Sequence, residues 1–283
     1  MGRPVCARLT AARFEVTATD IDPAGHDAAA AVGARWVPDA RDLADCCEVV
    51  ISLLPGASEV VAVAEALAGA QPAGSLWLEM STVPPATAAA VAAAVRGRDL
   101  TVLDAPVGGG PGQAADGALL SFVGGDAAAL AVARPVLGAL ADRIVHVGEA
   151  GSGYTVKLLA NLLWFGQAVA SAEALTLARQ AGLDLATVLD ALGESAAASR
   201  FLTRDAWSLL DGDDLSAFSL VRCCEQLSAV LELGEDLGVP LALAAVVGEV
   251  HQLALERYGE VDGELLGARF VAERAGVSLD HRR

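Results

Sequence analysis

The feature that most constrains the fold of this 283-residue chain is a single change of periodicity. Up to about Gly148, short runs rich in β-branched residues alternate with Ala-rich segments of helical spacing. Such alternation predicts βαβ units and a mostly parallel sheet. Over residues 156–182, apolar residues recur at helical spacing without a β-rich interruption, which predicts an unusually long helix. We therefore predict an α/β domain over residues 1–148, followed by an all-helical domain over residues 149–283 that is built on this helix.

The same patterns predict the individual elements. The predicted strands are residues 15–19, 34–37, 48–54, 75–79, 100–105, 119–124 and 143–147. The predicted helices are residues 57–70, 84–96, 156–182, 184–192, 201–210, 220–237 and 241–258. The boundary between the two domains is predicted at residues 149–153, where Gly-rich residues precede the long helix.

Charge and cysteine content exclude several classes of function. The formal net charge is −17, whereas a nucleic-acid surface needs Lys and Arg to neutralise phosphates. Four of the five Cys form two adjacent pairs, Cys46-Cys47 and Cys223-Cys224, which have neither metal-knuckle nor Cys-x-x-Cys spacing. The four His are scattered singly. We predict small, buried, reduced cysteines, no metal site and no nucleic-acid partner.

Membrane insertion and secretion are not predicted. No stretch approaches the roughly 18 uninterrupted apolar residues that a membrane-spanning helix needs. The N-terminal residues contain Arg3, Arg8 and Arg13 and lack the sustained apolar core of a secretory signal. A cytoplasmic location without a membrane partner is therefore expected.

The first chemical clue is a strand that ends in a carboxylate, because Asp20 follows the predicted strand at residues 15–19. In a Rossmann-like domain an acid at this position accepts hydrogen bonds from the adenosine ribose hydroxyls and repels a 2′-phosphate. Asp20 is followed by Ile21 with no Arg beside it, which favours NAD over NADP, although NADP stays open. The competing interpretation is that Asp20 only caps the next turn.

The Gly-rich turn of such a domain is expected on a strand that precedes Asp20. Instead, Met1-Gly2 leads at once into an Ala/Leu helix that ends near Ala12. In register, Gly2 occupies the end of a Gly-x-Gly-x-Met-Gly loop whose strand and first two glycines are absent. A doubly wound sheet places that strand in its middle. We therefore expect a Rossmann-like domain without its first strand, and a natural protein that begins upstream of Met1.

One amine stands out, since Lys157 is the only Lys in the chain. It belongs to one of four segments that, in order, resemble the β-hydroxyacid dehydrogenase family, whose members are similar to 3-hydroxyisobutyrate dehydrogenase. The resemblance covers essentially the whole chain. The four segments are Leu54-Pro55, the Glu-Met-Ser-Thr turn at 79–82, the Asp-Ala-Pro-Val-Gly-Gly-Gly loop at 104–110, and the Gly-x-Gly-x-x-x-Lys-x-x-x-Asn helix start at 151–161.

The resemblance implies a role for each matching residue. It implies that Lys157 is the catalytic acid/base and that Asn161, together with Gly108, Gly109 and Gly110, binds the substrate. It also implies cofactor contacts from Gly2, Asp20, Leu54, Pro55, Thr82 and Glu225. Side-chain chemistry agrees, because Lys157 and Asn161 are four residues apart and share one face of a helix. An ammonium donates to a carbonyl oxygen as hydride arrives at carbon, and a neutral amine accepts the hydroxyl proton in the reverse direction.

Three positions depart from the family pattern. Gly108 stands where the family usually has Ser, so a hydroxyl donor to a substrate carboxylate is lost. Ala160 replaces the first Asn of an Asn pair, of which Asn161 is the second. Glu225 replaces a Lys near the nicotinamide end of the cleft, and Arg222, one turn earlier, is a candidate substitute cation.

Taken together, the sequence predicts an enzyme that transfers a hydride between NAD(H) and a small hydroxy acid or related carbonyl compound. The active site is expected in the cleft between the two domains. A homodimer or higher homo-oligomer is expected, since the long apolar helix would bury surface against a second subunit. Two alternatives remain, namely a non-catalytic or cofactor-impaired paralogue that acts as a binding protein, and an enzyme similar to imine reductases.

Overall fold

The computed structural model describes residues 1–69 and 75–280. The chain divides into two compact units, Met1–Lys157 and Leu158–Arg283. The division falls inside the long helix, a few residues after the boundary predicted at 149–153. The first unit is α/β and Rossmann-like and the second is helical, which confirms the predicted fold class.

Strands of the first unit form two sheets. Their bounds are β1 Thr17–Ala18, β2 Arg35–Trp36, β3 Val49–Ser52, β4 Ser75–Glu79, β5 Leu100–Asp104, β6 Val107–Gly108, β7 Leu119–Gly124 and β8 Ala141–Gly148. β1 and β2 pair in parallel as a sheet of their own, and the larger sheet has the order β3-β4-β5-β7-β6, with β8 also paired to β7. β7 is antiparallel to β5 and β6, whereas the other pairings in the sheet are parallel.

Helices cover the sheet of the first unit. They are α1 Gly2–Ala11, α2 Gly25–Ala31, α3 Ala40–Ala44, α4 Ala57–Ala68, α5 Ala86–Ala94, α6 Pro111–Asp116 and α7 Ala127–Leu140. One apolar cluster joins Val5 and Leu9 of α1 to Leu78 and Leu103 of the sheet. A second cluster packs Trp77 against α4 and α5. Helices therefore pack on both faces of β4 and β5, and this packing fixes the positions of the carboxyl ends of the two strands.

The second unit is built from helices α8 Ser152–Gln180, α9 Leu185–Gly193, α10 Trp207–Asp211, α11 Leu220–Asp236, α12 Ala242–Tyr258 and α13 Leu266–Arg274. The first turns of α8 belong to the α/β unit and its remainder to the helical unit. A π-helical segment, Phe201–Asp205, precedes α10. Trp164 of α8 packs edge-on against Phe201, and its Nε1 donates to Asp205 Oδ2 at 2.9 Å.

Several sequence predictions are corrected by the structure. The predicted helix at 201–210 is a π-helical segment followed by α10, because apolar spacing over so few residues does not distinguish the two helix types. The elements that were not predicted are β6, which has only two residues, and the helices α2, α3, α6, α7 and α13. The prediction of buried cysteines is confirmed only for Cys223, because Cys46 is exposed and Cys6, Cys47 and Cys224 are half-buried. Residue 70 of the predicted helix at 57–70 lies outside the described residues.

Among the described residues, α8 is the one helix that is long and apolar enough to cross a membrane by length and composition alone. Such a helix is weak evidence for a span, because the core helix of a globular protein meets the same criteria. Leu175 and Ala172 of α8 are buried in an apolar cluster with α9 and α13, so part of the apolar surface of α8 is accounted for by packing.

A buried histidine in the helical unit makes stability depend on pH. His251 of α12 is fully buried, and its Nδ1 lies 2.8 Å from Val247 O, so Nδ1 carries the proton of the neutral ring. Within the described part of the chain, Nε2 has no hydrogen-bond partner. Burial lowers the pKa of His251. The unfolded chain therefore binds the proton more strongly, and the contribution to stability is present above the unfolded pKa of about 6.5 and lost below it.

We expect the free energy of unfolding to fall as the pH is lowered from about 7 to about 5, by up to roughly 1.4 kcal/mol per pH unit from His251 alone. Urea unfolding at both pH values measures this fall. His251→Gln, which has no titrating ring, should show a smaller decrease. An equal decrease in the variant would assign the pH dependence to other groups.

Candidate active site

The candidate site begins at the carboxyl ends of β3 and β4. Because parallel neighbours end at the same edge of a sheet, the turns that follow them lie side by side. The backbone N–H of Leu54 donates to Ser81 Oγ at 2.7 Å, which ties the first turn to the second. Leu54, Pro55 and Thr82, which the sequence predicts as cofactor contacts, are thus brought together at one edge.

A buried carboxylate organises this edge. Glu79, at the end of β4, is fully buried and accepts hydrogen bonds from Ser52 Oγ at 3.1 Å and from the backbone N–H of Ser81 at 3.0 Å. The Ser81 hydroxyl makes a further short hydrogen bond to Glu79, and Tyr154 OH donates to Glu79 Oε2 at 2.8 Å. Burial raises the pKa of Glu79, while these donors oppose the rise by stabilising the carboxylate. Trp77 Nε1 donates to Ser52 Oγ at 2.9 Å and continues the network.

A second buried carboxylate holds the start of α8. Asp104 is the parallel-sheet partner of Glu79 and ends β5. Its Oδ1 accepts from Gly151 N at 2.8 Å, and its Oδ2 accepts from Gly153 N at 2.7 Å and Tyr154 N at 3.3 Å. Burial raises the pKa of Asp104, and the three backbone donors oppose the rise. A carboxylate at a helix N-terminus also interacts favourably with the helix dipole. Asp104 therefore fixes the start of α8 to the sheet.

Glycine is required at Gly153 for this contact. A Cβ built at Gly153 would lie 2.5 Å from Asp104 O, 2.7 Å from Asp104 Oδ2 and 2.7 Å from Phe122 O. Backbone oxygens cannot move aside as a flexible side chain would. The second glycine of the Gly-x-Gly pattern is thus explained by close packing of the helix start against the sheet.

Lys157 lies on α8, one helical turn after the residues that Asp104 and Glu79 hold. Tyr154 is buried and is bound through both its backbone and its hydroxyl, while Lys157 is half-buried. Because side chains three and four residues apart share one face of a helix, fixing residues 153–154 fixes the direction in which Lys157 leaves the backbone. Burial, and after it the charge of Glu79, raises the pKa of Tyr154, so its hydroxyl stays a hydrogen-bond donor.

Asn161, one turn further along α8, contacts a residue that the sequence analysis did not assign. Its Nδ2 donates in a short hydrogen bond to Oε1 of Gln226, which is buried on α11. Gln226 is the residue after Glu225, and no motif in the sequence singled it out. The contact orients the Asn161 amide.

Glu225 and Arg222 are paired with each other. Arg222 Nη1 lies 2.8 Å from Glu225 Oε2, three residues along α11, and both side chains are partly exposed. The positive charge of Arg222 is therefore balanced by the carboxylate of Glu225 on the same helix. Whether Arg222 replaces the Lys that the family has at position 225 stays a prediction.

Asp20 and Gly2 lie elsewhere in the α/β unit. Asp20 is exposed, and its Oδ1 accepts from Asp22 N at 3.0 Å, so it does cap the following turn, as the competing interpretation states. This contact uses Oδ1, and cofactor binding by Asp20 stays a prediction. Gly2 is the first residue of α1, and a Cβ built there would meet nothing within 4 Å.

The glycine run is ordered. Gly108 belongs to β6 and pairs with Leu120, and Gly109 has φ 112°, which favours glycine. The backbone N–H of Gly110 donates to Gln113 Oε1 at 2.9 Å. The N–H of Gly110 is therefore engaged at the start of α6, and substrate binding by Gly108, Gly109 and Gly110 stays a prediction.

Sequence reasoning found Lys157 and Asn161 but missed the residues that hold them. Ser52 and Tyr154 carry no signal by themselves, because the atoms they bind are 27 and 75 residues away in sequence. Asp104 was recognised only as part of a substrate loop, although it binds the start of α8 from 47 residues away.

Two dehydrogenase family models match the two parts of the chain. Residues 1–148 match the NAD-binding domain of 6-phosphogluconate dehydrogenase, and residues 151–266 match the NAD-binding domain of NADP-dependent 3-hydroxyisobutyrate dehydrogenase. The chain is 36% identical to an NAD-dependent L-serine dehydrogenase of Pseudomonas aeruginosa over 198 residues, which is 69% of this chain and 66%, just under two thirds, of that protein. It is 31% identical to L-threonate dehydrogenase of Cupriavidus necator over 90% of this chain and 87% of that protein.

The fold of one solved structure matches the fold of this chain over nearly its whole length. The 3-hydroxyisobutyrate dehydrogenase of Mycobacterium tuberculosis, solved with L-serine, superposes with a TM-score of 0.88 at 26% identity and covers 97% of this chain and 95% of that chain. The chain belongs to the β-hydroxyacid dehydrogenase family, the NAD(P)-dependent dehydrogenases similar to 3-hydroxyisobutyrate dehydrogenase. The predicted family and the nicotinamide cofactor are thereby confirmed.

Proposed function

We propose that this protein oxidises a small hydroxy acid with NAD⁺, or reduces the corresponding carbonyl compound with NADH, using Lys157 as the acid/base. The observation that supports this most directly is the position of Lys157, one turn after a helix start that Asp104 and Glu79 bind from adjacent strand ends. Such a start fixes where the only amine side chain of the chain emerges. Catalytic groups need this kind of fixed geometry.

The proton chemistry falls to Lys157. In oxidation its neutral amine accepts the proton of the substrate hydroxyl, and in reduction its ammonium donates that proton to the carbonyl oxygen. NAD(H), when bound, accepts or supplies the hydride. Asn161 orients the same oxygen or the substrate carboxylate, and its contact with Gln226 sets which way the amide points. Gly108 and Gly109 would let backbone approach a carboxylate closely.

The described residues fit a dinucleotide at the edge of the sheet. The turns that contain Leu54, Pro55 and Thr82 are tied together by the Ser81 hydroxyl, and Gly2 is the first residue of α1. A helix start of this kind suits a pyrophosphate. We propose that these residues and Asp20 hold the cofactor.

The proposal is tested by a panel of hydroxy acids with NAD⁺ and NADP⁺, in which reduced cofactor is followed by absorbance. L-serine, 3-hydroxyisobutyrate and L-threonate are the first compounds to use, since they are the namesakes of proteins similar to this chain. Saturable turnover of one of them supports the proposal. Binding of NADH without turnover of any hydroxy acid would favour the non-catalytic alternative, and turnover of a cyclic imine alone would favour the imine-reductase alternative.

Cofactor preference supplies a separate prediction at Asp20. Replacing Asp20 with Ser should weaken NAD⁺ binding about tenfold, because a charged hydrogen bond to the ribose is lost, and should weaken NADP⁺ binding less or strengthen it. Fluorescence titration with NADH and NADPH measures both constants. Asp22→Ser, two residues along the same turn, is the matched control. Equal NADH affinity in wild type and Asp20→Ser would leave Asp20 as a turn cap only.

We propose that the protein self-associates through exposed leucines of α8 and α12. α8 exposes Leu163 and Leu177 at 63% and 72%, and α12 exposes Leu243 at 73%, which is costly for a monomer in water. A homodimer in the cytoplasm remains our prediction, with a second copy covering these leucines. Light scattering should give a molar mass twice that of one chain. The double variant Leu163→Glu, Leu177→Glu should shift the measured mass towards that of a single chain. A monomer at micromolar concentration would contradict the prediction.

A further inference from the structure

The two adjacent cysteine pairs have the same sequence but different surroundings. Cys46 is exposed and Cys47 half-buried in the segment that follows α3, whereas Cys223 is fully buried within α11. The Sγ atoms of Cys46 and Cys47 are 3.7 Å apart. Neighbouring residues direct their side chains apart in an extended strand, so this proximity is a property of the local turn.

A cation contacts the exposed thiol. Arg35 Nη2 lies 2.9 Å from Cys46 Sγ, and Arg35 Nε donates to Thr17 Oγ1 at 3.3 Å, which anchors the guanidinium to β1. Cys46 Sγ also donates to Asp42 O at 3.1 Å. Reactive cysteines lie in exposed positions beside cationic side chains. Cys46 thus has both the exposure and the neighbouring guanidinium of a reactive cysteine.

Cys47 is placed to form a disulfide with its neighbour once that neighbour is oxidised. Burial first, and then the hydrogen bond to Cys46, raise the pKa of Cys47 to about 11. Cys47 is therefore a protonated thiol at neutral pH. Two sulfur atoms 3.7 Å apart need only a small movement to close to a disulfide once one of them is oxidised.

We propose that Cys46 and Cys47 form an oxidative modification site, in which a hydroperoxide oxidises Cys46 and Cys47 closes the product to a disulfide between adjacent residues. The Cys46 thiolate attacks one peroxide oxygen, the O–O bond breaks, and hydroxide or alkoxide leaves, so that sulfur is oxidised to a sulfenic acid and the peroxide is reduced. Cys47 sulfur then attacks Cys46 sulfur, the S–O bond breaks, and the departing hydroxide takes the Cys47 proton as water.

The second pair provides a matched internal control. Cys223 is shielded from solvent, and burial raises its pKa. Successive side chains on a helix point about 100° apart, so the α11 geometry does not direct the two sulfurs at each other. Arg222, the neighbouring cation, is engaged with Glu225 at 2.8 Å. A sequence-only explanation predicts equal reactivity of both pairs, and the structural explanation predicts reactivity of Cys46-Cys47 alone.

The test is mass-spectrometric peptide mapping of the full chain after brief treatment with hydrogen peroxide and alkylation of the remaining thiols. We expect the peptide with Cys46 and Cys47 to lose two hydrogen atoms and to escape alkylation, with recovery on reduction, while Cys223 stays a thiol. Equal oxidation of both pairs, or oxidation of neither at a peroxide dose that modifies Cys6, would overturn the proposal.

Two variants separate the roles. Cys47→Ser should leave a sulfenic acid on Cys46 that dimedone traps, and Arg35→Gln should slow oxidation of Cys46 about tenfold. Circular dichroism shows whether each variant folds. Unchanged rates in folded Arg35→Gln, or no dimedone adduct in folded Cys47→Ser, would contradict the assigned chemistry. These results do not depend on dehydrogenase activity, because no cofactor or hydroxy acid is present in the assay.

Discussion

Replacing Lys157 with Ala is expected to lower kcat for hydroxy-acid oxidation about a thousandfold, within the range that positioned acid/base groups contribute. No other Lys exists in the chain to take its place. The dissociation constant for NADH should change little, since the loss concerns proton transfer and not cofactor contacts. Steady-state kinetics and NADH titration on the same preparation measure the two quantities separately.

Lys157→Met is the matched variant, because it retains an unbranched apolar side chain and removes only the amine. We expect the same loss of kcat as in Lys157→Ala. If Lys157→Met keeps most of the activity, the amine is not the acid/base and the proposed mechanism is wrong. If both variants lose NADH binding as well, Lys157 acts through the structure of the helix start.

The second large effect concerns stability. Gly153→Ala should lower the free energy of unfolding by about 3 kcal/mol or more, since the new methyl group would lie 2.5 Å from Asp104 O and 2.7 Å from Phe122 O. The helix start would have to leave Asp104, and three buried hydrogen bonds would weaken with it. Urea unfolding followed by circular dichroism measures the loss.

Gly166→Ala is the control for Gly153→Ala on the same helix. A Cβ at Gly166 meets nothing within 4 Å, so this variant should gain up to about 1 kcal/mol from helix propensity. Opposite signs for the two Gly→Ala changes are the expected result. A stable Gly153→Ala protein would mean that α8 starts differently, and that Asp104 does not set the position of Lys157.

Much of the fold was predictable because it depends on local periodicity. β4 and β7 have the predicted bounds, Ser75–Glu79 and Leu119–Gly124, since apolar runs bounded by turns define strands directly. The long helix was predicted from residue 156 and begins at Ser152, because glycines hide the first turn of a helix from any propensity argument. The two-residue strand β6 carries too short a pattern to detect.

The residues of the candidate site were likewise only partly predictable from the sequence. Lys157 and Asn161 were found because a motif and helical spacing place them on one face of α8. Gln226, which binds Asn161, was missed as a partner because α11 brings it there from 65 residues away. Glu225 was recognised as a reversed charge, but only the structure shows that Arg222 already balances it.

The sequence by itself determined that an α/β part precedes a helical part, the family, and that Lys157 is the only side-chain amine. Tertiary structure decided what holds that amine in place, namely Glu79 and Asp104 at adjacent strand ends. It also decided that Cys46 is exposed beside a guanidinium, whereas Cys223 is buried within a helix. The physical reason is that secondary structure follows patterns within a few residues, whereas burial, hydrogen-bond partners and charge pairing arise from packing between segments that are distant in sequence.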